Sequence, residues 1–91
     1  MLIQKELNRI STELQKQTGC VTHNISAEIE DEQITVWVTL YDSHWDNSYI
    51  VSVTVEESTL KQFSNDRNVV EIVKLLVSEW TDVAKDNMTI H

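Results

Sequence analysis

The chain has one glycine, one cysteine, and no lysine or arginine between Lys16 and Lys61. A lone cysteine, Cys20, excludes an internal disulfide. A lone glycine, Gly19, excludes a glycine-rich loop that cradles phosphate. No apolar run approaches the roughly 18 residues that span a bilayer. Residues 1–10 alternate polar and apolar types without the unbroken apolar core of a secretory leader. The expected compartment is the cytosol, so Asn24-Ile25-Ser26 and Asn87-Met88-Thr89 read as chance matches to the glycosylation pattern.

What is present fits one small domain. A chain of 91 residues, 41% of them hydrophobic, can bury one thin core. The formal net charge is −8. That balance argues against direct nucleic-acid binding and against an anionic membrane surface, both of which need basic patches. It favours a partner protein with a basic surface.

Residues 2–17 read as an amphipathic helix with Ile3, Leu7, Ile10 and Leu14 in one stripe. Lys5, Glu6, Arg9, Glu13 and Lys16 fall on its other side. Gly19 follows the last turn, where helices most often require a glycine. Residues 21–29, 33–41 and 49–55 alternate as strands. One face takes Val21, His23, Ile25, Ala27 and Ile29, then Ile34, Val36, Val38 and Leu40, then Tyr49, Val51, Val53 and Val55. Short connections make an antiparallel meander. A short helix over 58–64 places Leu60 and Phe63 inward. Ser64, Asn65 or Asp66 caps a last helix over 67–85, striped by Val69, Ile72, Val73, Leu76, Trp80 and Val83. The tail from Asp86 is expected to fray. The expected fold is α+β, in the order α-β-β-β-α, with both helices packed on the aliphatic face of a three-stranded sheet.

The charge is unevenly placed. Glu28, Glu30, Asp31, Glu32, Asp42, Asp46, Glu56 and Glu57 all lie in the stretch without bases, and the remaining acids and bases cancel. A meander brings Glu28, Glu30, Asp31, Glu32, Glu56 and Glu57 to one edge of the sheet. Such an edge steers a basic partner. The bland account is a pair of solvated turns that keep the chain soluble. A calcium site would need regular Asp/Asn/Gly spacing, which is missing.

A second surface is aromatic. Trp37 and Tyr41 share the face opposite the aliphatic one, with Ile50 across from them and His44, Trp45 and Asp46 in the adjoining loop. Left open, such a patch marks an interface. The last helix could instead cross it and make Trp37 core, or the face could pair with its own copy in a homodimer.

Catalytic patterns are weak. Cys20 and His23 are spaced like half a metal site with no second half. Ser43, His44 and Asp46 are triad types, but crowd one short loop instead of converging from separate elements. No enzyme activity, cofactor or metal is expected. The order α-β-β-β-α is also that of double-stranded-RNA-binding domains. However, the last helix offers only Arg67 and Lys74 in place of their lysine cluster, which argues against that activity. The leading expectation is an acidic inhibitor that occupies the basic groove of a nucleic-acid-binding protein. Many phage-encoded antagonists of host defence, anti-CRISPR and anti-restriction proteins among them, are compact and acidic in this way. The likeness is one of size and charge, with no shared motif. The alternative is an adaptor, immunity-type or other assembly module that binds through the aromatic face.

Overall fold

The computed structural model describes residues 4–44 and 46–89, with side chains as far as Lys85. The elements are α1 (Gln4–Thr18), β1 (Val21–Glu30), β2 (Gln33–Asp42), β3 (Asn47–Glu56), α2 (Glu57–Lys61) and α3 (Asn65–Thr89). The strands form an antiparallel sheet in the order β1-β2-β3. This is the expected α+β meander. Among the described residues, no helix is long and apolar enough to cross a membrane.

The core follows the hydrophobic periodicity. Leu7, Ile10 and Leu14 of α1 and Val69, Ile72, Val73 and Leu76 of α3 are buried against Ile34, Val36, Val38, Leu40 and Val51 of the sheet. Trp80 and Val83 pack against this core only partly buried. Ile3 lies outside the described residues. Removing such side chains from water drives the two layers together, at about 1.5–3 kcal/mol for each large aliphatic group.

Local chemistry sets the element ends. Gly19 closes α1 at φ 73°, and its N–H donates to the Gln15 carbonyl at 3.0 Å. That left-handed residue is where only glycine avoids strain. Ser64 caps α3: its hydroxyl accepts the Arg67 N–H at 3.2 Å. Arg9 pairs with Asp66 at 2.5 Å and ties α1 to the start of α3. Buried Asn68 donates to the Leu60 carbonyl at 2.7 Å and fastens α2 to α3. No glycine or proline interrupts residues 65–89, and α3 accordingly runs to Thr89, past the expected end.

Five placements are corrected, those of Phe63, Glu6, His23, Val21 and Thr22. Phe63 is not inward. Helix α2 stops at Lys61, so the helical spacing from Leu60 no longer applies, and Phe63 is 38% exposed under the Arg67 guanidinium. Glu6 does not lie on the wet side of α1; it is only 4% exposed. His23 is not on the apolar face. A β-bulge between Thr22 and Asn24 inserts it as an extra residue, because Thr22 opposes Leu40 and Asn24 opposes Thr39. The bulge reverses the alternation at the start of β1. Val21 therefore faces out, and Thr22 turns toward α1, where its hydroxyl meets the Ser11 carbonyl at 3.4 Å.

Candidate functional site: the open face of the sheet

Both long helices cover one side of the sheet and leave the other bare. Along β2, Ile34, Val36, Val38 and Leu40 are buried, whereas the intervening Trp37 is 43% exposed. Of the readings left open for Trp37, core is excluded: it stands on an uncovered face. Ile50 is 70% exposed on the same face.

The register arranges this face in rows across β1, β2 and β3. The first row is Glu30, Gln33 and Glu56, and the next is Glu28, Thr35 and Thr54. Then come Ser26, Trp37 and Ser52, followed by Asn24, Thr39 and Ile50. Val21, Tyr41 and Ser48 close the far end. Cross-strand bonds hold several rows in place. Gln33 Nε2 donates to Glu56 Oε1 at 3.2 Å, and the hydroxyls of Thr35 and Thr54 share a 2.9 Å bond. His23, delivered by the bulge, sets its ring edge-on to Tyr41 at 5.8 Å.

The acidic edge divides once its side chains are placed. Glu28, Glu30 and Glu56 belong to the open face and run directly into the Trp37 row. Asp31 and Glu32 form the hairpin tip at φ 51° and 63°, the positive pair of a type I′ turn. Glu57 turns away and pairs with Lys61 at 3.5 Å, so one of the six carboxylates is partly neutralised. The two tips do meet, because the Glu57 N–H donates to the Glu32 carbonyl at 2.9 Å. All seven cations sit on helices: Lys5, Arg9 and Lys16 on α1, Lys61 on α2, and Arg67, Lys74 and Lys85 on α3. The strands carry none, so Glu28, Glu30 and Glu56 stand on the open face with no lysine or arginine on the strands beside them.

At the opposite end, the Tyr41 hydroxyl donates to Asp46 Oδ1 at 2.6 Å. That bond, reinforced by the Asp46 charge, pushes the Tyr41 pKa above the ordinary phenol value. The His44 N–H donates to Asp42 Oδ1 at 2.9 Å and orders the loop. Trp45 lies outside the described residues.

Cys20 is buried, and burial pushes its thiol pKa up. His23 is exposed on the open face, so the two cannot chelate one ion. Among the described residues, no group of three or more His, Cys, Asp or Glu is arranged to hold a metal. A groove of about 940 Å³ lies between α1 and α3, lined by Lys5, Arg9, Val69, Val70 and Lys74 among others. It contains none of the expected site residues.

Sequence reasoning treated the acids and the aromatic face as separate surfaces. The parity of the strands could have joined them: Glu28, Glu30 and Glu56 alternate in phase with Ser26 and Ser52, which flank Trp37. The approach of His23 to Tyr41 depends on the bulge, which no local pattern announces. Compared with known proteins, the chain matches no family model, no curated protein and no solved structure.

Proposed function

We propose that this protein is a binding inhibitor: its open sheet face occupies the basic surface of a protein that ordinarily holds nucleic-acid phosphate. The observation that carries this reading is the continuity of the Glu30, Gln33, Glu56 and Glu28, Thr35, Thr54 rows with the Trp37 row. An exposed indole and a nearby isoleucine supply apolar area that a partner can desolvate. The carboxylates beside them steer a cationic surface into register and raise its association rate. The protein acts by occupancy rather than catalysis.

Two further points support the reading. Asp31 and Glu32 sit in left-handed backbone that Asn-Gly would adopt with less strain, at a cost on the order of 1 kcal/mol for each residue. Acids placed at that cost fit a role in contact better than one in solubility alone. Pairing of two copies through this face would set carboxylates against carboxylates with no strand cation to relieve them, which disfavours the homodimer. A nuclease or effector with a phosphate-binding groove is the kind of target implied, in keeping with the likeness to compact acidic antagonists of host defence.

The test is capture followed by competition. Purified protein is used to isolate a partner, and duplex DNA and single-stranded RNA are then titrated against the complex. The reading expects nucleic acid to displace the protein and affinity to fall steeply with salt. A complex indifferent to nucleic acid and to salt would favour a purely aromatic assembly module instead.

A further inference from the structure

The two free edges of the sheet are finished differently. On the outer side of β1, the bulge at His23 breaks the run, and Gln15 Oε1 accepts the Thr22 N–H at 3.1 Å, so α1 closes the start of that edge. Glu28 and Glu30 mark its other end. Strand β3 is less protected: Asn47 Oδ1 accepts the Ser48 N–H at 3.0 Å at its start and Glu56 marks its end, but among the described residues no bulge and no helix side chain closes the run between them. Its register with β2 is unbroken from Asn47 to Glu56, it contains no proline, glycine, lysine or arginine, and among the described residues no strand pairs with its outer side. Native proteins blunt exposed edges with bulges, prolines, lysines or covering elements, because a bare edge is a template for another strand.

The side chains along this edge specify what would fit. On the helix side, Val53 and Val55 are only partly buried, so the helix layer does not fully cover β3 there. On the open side the residues in order are Ile50, Ser52, Thr54 and Glu56. Resting on the reading above, we infer that the outer edge of β3 receives an extended basic segment of the partner protein as a fourth, antiparallel strand. Backbone hydrogen bonds provide the affinity in this mode, and alternate side chains provide the selectivity. Residues of the segment that fall beside Val53 and Val55 are apolar. Those on the open side are polar or small, with a lysine or arginine opposite Glu56. A second copy of β3 is the poorer occupant, because it would add carboxylates to a face that has no cation.

The probe is the peptide acetyl-Lys-Lys-Val-Thr-Val-Thr-Val-amide, titrated into the intact protein while amide exchange is followed by NMR. The expected result is slower exchange at alternate amides of β3 and none at β1. Two N-methylated peptides make the backbone test without altering the protein. Methylation at the residues whose N–H faces β3 should weaken binding roughly tenfold or more, and methylation in the other register should change it less than about twofold. Equal binding by both methylated forms, protection confined to β1, or no binding at millimolar peptide would overturn the inference. The Trp37→Ala variant separates the two claims. It should keep the peptide-induced protection of β3 while losing the captured partner. A partner held through Trp37 without slowing β3 exchange would sink the fourth strand and leave the inhibitor reading standing.

Discussion

The two faces of one sheet obey different rules. On the helix side of β2, Ile34, Val36, Val38 and Leu40 are aliphatic and buried; on the open side, Thr35, Trp37, Thr39 and Tyr41 mix hydroxyls with aromatic rings. Charge divides in the same way. The strands and their turns carry carboxylates without a cation, and the helices carry every cation. The first face supplies the buried core; the second carries cross-strand hydrogen bonds and an exposed tryptophan.

The sharpest way to break this comparison is to truncate one residue on each face. Leu40→Ala removes a fully buried side chain and should cost about 2–5 kcal/mol in chemical denaturation. Trp37→Ala, despite its larger side chain, should cost less than about 1 kcal/mol. Equal losses would mean that Trp37 holds the fold and that the open face is not spare.

The hairpin tip gives the next largest effect, with the opposite sign. Replacing Asp31 and Glu32 by Asn and Gly relieves two left-handed acidic residues and should stabilise the domain by about 1–2 kcal/mol. Partner affinity should fall in the same variant. A variant that gained stability with affinity intact would leave the tip as a solvated turn.

A buried acid sharpens the contrast on the helix side. Glu6 is only 4% exposed, and its Oε2 has no hydrogen-bond partner among the described residues. A buried polar atom left unsatisfied costs roughly 1–3 kcal/mol. Glu6→Leu should therefore leave thermal stability unchanged or raise it by up to about 1 kcal/mol. A marked loss would show that the carboxylate is satisfied in solution.

The smallest effect is at Tyr41. Its pKa is raised because the neutral phenol donates to Asp46 and a phenolate would face that carboxylate. The folded state thus holds its proton more tightly than the unfolded chain. This contribution is complete below the ordinary phenol pKa near 10, and is lost as pH rises through the higher folded value. Asp46→Asn, which removes the charge, should lower the Tyr41 midpoint in a tyrosinate absorbance titration. An unmoved midpoint would deny the contact.

Much of this organisation was legible in the sequence, and each failure has its own physical cause. Period-two alternation in β2 and β3 assigned both faces correctly, because their register is uninterrupted. The same rule misplaced Val21, Thr22 and His23, since one inserted residue reverses every side chain before it. Gly19 was readable because a helix end is the commonest place for a left-handed residue. Phe63 was misread because spacing alone cannot tell where α2 stops. Glu6 was misread because helical phase places it at the margin of the stripe, where packing against other elements decides burial. The acids and Trp37 were each singled out, but their union needed the pairing of β1 and β3 through β2.

The central claim is that the apolar centre and the acidic rows of the open face act as one contact surface. Its most direct test compares a captured partner's affinity for wild type, Trp37→Ala and the triple Glu28→Gln, Glu30→Gln, Glu56→Gln variant across a salt series. Trp37→Ala should weaken binding by about 30-fold or more at every salt concentration, the size expected of a central anchor. The triple variant should slow association and flatten the salt dependence. Undiminished affinity in both, with the salt dependence unchanged, would place the contact elsewhere on the molecule.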